Sequence, residues 1–311
     1  MSTVRRIAFL LAATLTLAAS AEAAERWAVI GPGSDPAYHA AVAEGCRRRA
    51  AEIGGAECRF VAPGGAETRD QARIVADLLA DGVDGLAVAP VLIAPVAEVL
   101  GRARAAGIPV VAYDVDLPER ARDAFVGTDA RGFGRALGAT LRRWRPDGGR
   151  YALISGDAAS RGLAERLDGI RDVLGPRWIE IAGSPLRTTG ETREAARLLD
   201  QLLLDDAELD AVITVGPWPF LDEDTWREIA GRHRDRLDRA RVVLVSTDAL
   251  PAQRRLLRDG AVHVLVDRRP TEIGARIAEV LAARRAGRRA PDATYVGFDV
   301  LTRRDVVDAP N

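Results

Sequence analysis

Short β-branched runs alternate with amphipathic stretches along almost all of this 311-residue chain, and that alternation limits its fold more than any other feature. "RWAVIG" reads as a first strand, and the spacing predicts a helix over residues 36–53. "ECRFVAP" gives a second strand. "TRDQARIVADLLADG" then carries apolar residues at three-to-four spacing before a glycine stop. "GLAVAP", "IPVVAYDVD" and "AFVGTD" continue as strands three to five, with a helix over "LIAPVAEVLGRARAAG". Strands joined through helices run parallel and are covered on both faces.

The pattern then restarts with a helix ("GFGRALGATLRRW"), a strand ("RYALISG"), a helix ("GLAERLDGIRDVLG") and a strand ("WIEIAG"). A long helix in "TTGETREAARLLDQLLLDD" opens on a Thr/Glu arrangement like a capping box. "LDAVITVG", "RVVLVSTD" and "VHVLVD" are further strands separated by helices, one of them around "FLDEDTWREIAGRH". A last helix, "TEIGARIAEVLAARRAG", precedes a strand-like "TYVGFDVLT". The charge-dense "RHRDRLDRAR" reads as a solvated helix end and loop. The expected class is α/β, with two doubly wound Rossmann-like lobes built on parallel sheets. No Ser/Gly-rich or Pro-rich linker separates them, which fits lobes joined by several crossovers.

The N-terminus stands outside this pattern. Arg5 and Arg6 precede a continuous apolar run over residues 7–19, and Ala21-Glu22-Ala23 supplies small residues where a signal peptidase reads. We expect a signal peptide over residues 1–23, cleaved after Ala23, and hence a periplasmic protein. The run is short for a spanning helix, which needs about 20 apolar residues. No Cys follows it, which argues against a lipoprotein.

Composition removes several function classes. Lys plus Arg total 44 against 45 Asp plus Glu, so there is no electrostatic footprint for nucleic acid. Every one of those cations is Arg. A Walker-type lysine, a Schiff-base lysine and a Ser–Lys dyad are therefore impossible. The two cysteines, Cys46 on a predicted helix and Cys58 at the start of the next strand, are either a disulfide of an oxidising compartment or two buried thiols. Without adjacent His they make a poor metal set, and no metal or cofactor is expected.

"GPGSDPAY" fails as a dinucleotide fingerprint, because Pro36 stands where the third Gly is needed and no acidic residue ends strand two. What it offers is Asp35 as an N-cap to a helix whose first turn carries Tyr38. His39, next to Tyr38, is a candidate cleft residue; His233 and His263 show no metal spacing. "LISGDAAS" lacks the Gly-x-Ser-x-Gly elbow, and no Ser–His–Asp set follows from spacing. Asp114 and Asp116 close strand four and Asp129 follows strand five, at the ends where α/β proteins hold ligands.

These segments together resemble the periplasmic sugar-binding proteins of the ribose-binding type, the type I binding components of ABC transporters. The resemblance runs over nearly all of the chain after residue 23. "DPAY" stands for the family's Asn-Pro and aromatics, and "DGLAVAPVLIAPVAEVLGRARAAGIPVVAYDVD" matches its strand–helix–strand unit. "FVGTDARGFGRALG" matches the first hinge, and "ERLDGI" an Arg-x-x-Gly helix signature. "VVLVSTDALPAQRRLLRDG" matches the strand ending in a ligand-binding Asp, and "VDRRPTEIGARIA" the second hinge.

The resemblance implies a three-crossover hinge, near Thr128, Arg268 and Thr294. The lobes would be residues 24–128 with 269–294, and 129–268 with 295–311. It implies a site of Asp35, Tyr38, Asp114, Asp116, Asp129, Asp248 and Arg268, with Trp218 as an aromatic plate. Departures are Val115 where ribose-like binders show Arg, Ala130 for a hinge Asn, Ala164 for a pocket Arg (with Arg161 one turn earlier), Gly216-Pro217 for Asn-Asp, and Arg268 for Gln. The function implied is capture of a small polar ligand, sugar or polyol-like, for an ABC permease by a monomeric protein that is not an enzyme. The alternatives are a sensor presenting its ligand to a histidine kinase or chemoreceptor, a binder of an amine-bearing or other ligand, and a sugar- or nucleotide-processing enzyme.

Overall fold

The computed structural model describes residues 24–33, 36–64 and 70–307, so the signal-peptide expectation and Asp35 lie outside the described residues. The first part runs β1 (Glu25–Ile30), α1 (Pro36–Ile53), β2 (Ala56–Val61), α2 (Asp70–Ala80), β3 (Gly85–Val88), α3 (Ile93–Ala105), β4 (Val110–Tyr113) and β5 (Ala124–Gly127). Next come α4 (Ala130–Trp144), β6 (Gly149–Ser155), α5 (Arg161–Leu174), β7 (Trp178–Glu180), β8 (Leu186–Arg187) and α6 (Thr192–Asp205). They are followed by β9 (Ala211–Thr214), α7 (Glu223–Arg232), α8 (Arg234–Asp238), β10 (Val243–Thr247), α9 (Pro251–Asp259) and β11 (Val264–Asp267). The chain closes with α10 (Pro270–Arg285), β12 (Ala293–Tyr295), β13 (Asp299–Thr302) and α11 (Arg303–Val307).

Two sheets result. One has the order β12-β5-β4-β3-β1-β2 and is parallel throughout. The other runs β13-β11-β10-β9-β6-β7, with β8 beside β6, and is parallel except for the antiparallel edge strand β13. Two-sided coverage explains the apolar strands. Trp27 and Val29 of β1 face Val42, Ile273 and Leu281, while Ala28 and Ile30 face Val75, Val96 and Leu100. The second sheet repeats this with Leu153 and Ile213 toward Phe133 and Ile170, and Ile154 and Val212 toward Leu199 and Ile229. Each such buried Leu, Ile or Val contributes about 1.5–3 kcal/mol over leaving it exposed.

The chain passes between sheets three times: between β5 and α4, between β11 and α10, and between β12 and β13. "TYVGFDVLT" is thus two strands. Tyr295 still pairs with Gly127, and Val296 N–H donates to Gly127 O at 2.7 Å, so the third passage centres on Gly297 and Phe298, beyond Thr294. Arg269, with φ +55°, ties the second passage to the third by donating from Nε to Asp299 Oδ2 at 2.8 Å.

Other departures are local. "WIEIAG" keeps only three strand residues, and the unforeseen β8 takes up the rest of the β6 edge. The capping arrangement of α6 is built on acids: Glu191 accepts from Arg193 N and Glu194 N, while Glu194 accepts from Thr188 Oγ1 and Thr189 N. The helix expected around "FLDEDTWREIAGRH" starts only at Glu223, capped by Asp222, after a separate 3-10 turn at Trp218–Phe220. Part of "RHRDRLDRAR" is the short helix α8. Cys46 on α1 and Cys58 on β2 are joined in a disulfide, tying that helix to the edge strand.

Two helix pairs approach closely enough to need glycine. A Cβ on Gly274 of α10 would lie 1.8 Å from Val42 O of α1, and one on Gly134 of α4 would lie 2.1 Å from Arg166 O of α5. The first contact sets α1, which carries Tyr38; the second sets α5, which carries Arg166. Gly274→Ala is expected to lower stability by about 1–3 kcal/mol through overpacking, read from urea unfolding. An unchanged midpoint and slope would contradict this close approach.

Candidate functional site

The cluster begins with backbone geometry. Asp114, immediately after β4, has φ +60°, and Asp248, immediately after β10, has φ +65°. A left-handed residue breaks the strand, and for a non-glycine it carries a local cost of order 1–3 kcal/mol that surrounding contacts must offset. The offset here is charge. Arg268 follows β11 and is 4% exposed; Asp248 is fully buried. Arg268 donates from Nε to Asp248 Oδ1 and from Nη2 to Asp248 Oδ2, both at 2.7 Å. Its Nη1 donates to Asp114 Oδ1, also at 2.7 Å. The guanidinium carbon lies 4.0 Å from the centroid of the Tyr38 ring, a cation–π distance. A guanidinium from the second sheet thus holds its own neighbour's carboxylate and reaches a carboxylate and an aromatic face carried by the first.

Arg166 completes the cluster from α5. Its Nη1 donates to Val215 O at 2.9 Å, and Nη2 lies 3.9 Å from Asp114 Oδ1. Arg166 Nε and Thr247 Oγ1 are buried with no hydrogen-bond partner among the described residues. Burial acts to raise the Asp114 pKa, but Arg268 and then Arg166 hold it below the usual carboxylate value. Burial pulls Arg166 down, with Arg268 adding to the effect; for Arg268 the burial penalty is outweighed by Asp248, Tyr38 and Asp114, and its pKa is raised. Both guanidiniums stay charged at any working pH. Beneath them, His39 Nδ1 lies 3.0 Å from Tyr113 OH, and both rings are buried.

Tyr38, Asp114, Asp248 and Arg268 are therefore brought together. Trp218 sits half-buried at the start of the turn after β9, with Gly156, Gly190 and Gly216 forming its slot; a Cβ on Gly216 would come within 2.5 Å of the indole. Asp116 is elsewhere engaged. It accepts from Arg122 Nη2 at 3.0 Å and from Leu117 N–H at 2.7 Å, with its side chain 48% exposed. Asp129 is exposed at the start of α4 and makes no side-chain cap bond.

Arg166 and Tyr113 complete the cluster beyond the residues expected from sequence, and His39, the candidate cleft residue, lies buried beside Tyr113. The signal for Arg166 was available: it lies in the stripe Leu163, Arg166, Leu167, Ile170, Leu174, and a charge inside a buried helical face needs a partner. Arg161, the expected substitute, points outward to Glu165 at 2.8 Å. Among the described residues no group of three His, Cys, Asp or Glu could hold a metal, and no helix is long and apolar enough to cross a membrane.

Burial is the main cause that lowers His39 to about 4, with Arg268 adding to it and Asp114 and Asp248 opposing. The fold accommodates the neutral ring. Stability is unaffected above the ordinary value of 6.5 and is lost as pH falls from there toward 4, because the unfolded chain takes up the proton first. Between pH 7 and pH 5 the wild type should lose about 2 kcal/mol more than His39→Gln, measured by urea unfolding. Parallel pH profiles would show that the ring carries no such penalty.

Two parallel-sheet lobes whose strand ends share one buried polar cluster define a two-lobed, cleft-type binding protein. The model of the periplasmic binding protein domain matches residues 27–289, and the chain belongs to that family. A D-ribose/D-allose-binding protein of Pseudomonas aeruginosa is 26% identical over 207 residues, covering 65% of this chain and 63% of the relative, a little under two thirds of its length. A solved ABC transporter solute-binding protein from Burkholderia graminis, in complex with D-arabinose, superposes with TM-score 0.80 at 21% identity, over 93% of this chain and 99% of that one. A glucose-galactose binding protein from Geobacillus stearothermophilus gives 0.76 at 23%, over 91% and 98%. These two likenesses establish the type I fold.

Proposed function

We propose that the cleft captures a neutral polyhydroxylated ligand, a sugar or polyol, by closure of the lobes, and that the protein delivers it to an ABC permease. On this reading the lobes are residues 24–128 with 269–294, extended to Val296 by its bond to Gly127, and 129–268 with the segment from Phe298 onward; the leader directs the chain to the periplasm, and the protein works as a monomer. Tyr38, Asp114, Asp248, Arg268, Trp218 and Arg166 line the ligand, with Asp35 and Asp129 as further polar contacts and Asp116, held by Arg122, outside the set.

One observation carries the reading: Asp114 on one side of the cleft faces the Arg268–Asp248 pair on the other. A vicinal diol can donate to a carboxylate and accept from a guanidinium at once. It also leaves the balance of Asp114 and Asp248 against Arg166 and Arg268 unchanged, whereas a charged ligand would upset it. Tyr38 and Trp218 offer faces for the apolar side of a ring. The unpartnered Arg166 Nε and Thr247 Oγ1 are further polar atoms for hydroxyls to satisfy. The names of the relatives, which include binders of ribose, allose, arabinose, glucose and galactose, support the same class.

A thermal-shift screen over aldoses, inositols and their amine and acid analogues should find at least one neutral polyol that raises the melting temperature. Asp114→Asn should weaken that ligand about 10- to 150-fold, the loss of one charge-assisted acceptor worth about 1.5–3 kcal/mol. Stabilisation by the charged analogues alone, or unchanged affinity in Asp114→Asn, would overturn the reading.

A further inference from the structure

Arg268 does more than line the cleft. Its fork is already held by Asp248 of its own lobe through two bonds of 2.7 Å, so the third bond, Nη1 to Asp114, is not needed to keep the guanidinium charged or buried. That third bond and the Tyr38 face at 4.0 Å both belong to the opposite lobe. Arg166, the other buried guanidinium of the second lobe, reaches the same Asp114 oxygen only at 3.9 Å. One side chain thus makes, across the cleft, the contacts a bound ligand would make: charge-assisted bonds to a carboxylate and contact with an aromatic face.

We propose that Arg268 is a tethered internal competitor: by binding Asp114 and Tyr38 it latches the lobes closed without ligand, and a ligand enters by displacing it from Asp114. The inference rests on the reading of the cleft as a polyol site. A hydroxylated ligand then has two tasks, to replace the guanidinium on Asp114 and to supply an acceptor to the freed Nη1. Molecules unable to do both are rejected, so the latch is also a filter. Asp248 remains paired with Arg268 throughout, which spares the fully buried carboxylate an unpaired state. Opening breaks the Asp114 bond and the contact with the Tyr38 face; the Asp114 side chain is 24% exposed, so water can take up its carboxylate.

Small-angle X-ray scattering on the ligand-free protein tests the latch. The wild type should scatter as the closed form and change little when the stabilising polyol is added. Asp114→Asn should show a larger radius of gyration without ligand; Asn is among the residues that best tolerate the left-handed conformation there, so the variant should fold. Arg268→Gln, which removes the other partner from the other lobe, should open the protein similarly. The double variant should open no further than either single one, because all three lose one shared interaction. A wild type that is open without ligand, or an Asp114→Asn variant whose scattering superposes on the closed wild type, overturns the latch. Either result leaves the polyol reading intact if a sugar still raises the melting temperature. If no polyol binds, that reading fails whatever the scattering shows.

Discussion

The ion-pair chain from Asp248 through Arg268 to Asp114 is the interaction on which the site depends. Its members come from three strand ends in two sheets, so it forms only when both doubly wound lobes are complete and face each other. Each carboxylate stands on a left-handed residue that a free chain would avoid, and Arg268 supplies the attraction that keeps both in place. A buried ion pair is a weak source of net stability, since desolvation consumes most of the Coulombic gain. Its value here is geometric: it fixes where donors and acceptors stand.

Everything around the chain serves that placement. The glycine contact between α1 and α10 brings the Tyr38 ring under the guanidinium, and the one between α4 and α5 lets Arg166 turn inward beside Phe133. The disulfide between Cys46 and Cys58 tethers α1 to the edge strand β2, on the same helix that carries Tyr38 and His39. The Arg269–Asp299 pair links two of the three passages between lobes, immediately beside Arg268. The cleft and the hinge are therefore neighbours, and a change at one is felt at the other.

Much of this was legible in the sequence, for a physical reason. Strands buried on both faces must be apolar at every position, so "GLAV", "VVAY" and "AVIT" announce themselves, and amphipathic helices between them dictate a parallel sheet. The acidic residue closing "VVAY" marked Asp114, and the resemblance to the ribose-binding type marked Asp248 and Arg268. What sequence left unread depends on direction. Asp114 and Asp116 look alike in the chain, yet the turn at Asp114 sends one toward Arg268 and the other to Arg122. A positive φ on a non-glycine residue leaves no mark in composition. Arg166 was hidden by an expectation two residues upstream, although its place in an apolar stripe betrayed it. The split of "TYVGFDVLT" follows from the sheets having separate edges, which no local pattern reports.

On the proposed reading a polyol sits between the lobes in place of the Asp114–Arg268 bond. A crystal structure of the protein with its stabilising sugar tests this most directly. Hydroxyls should lie within hydrogen-bond distance of both Asp114 and Arg268, with the Arg268–Asp248 fork intact. A sugar bound elsewhere, or bound in the cleft with Arg268 still on Asp114, would contradict it.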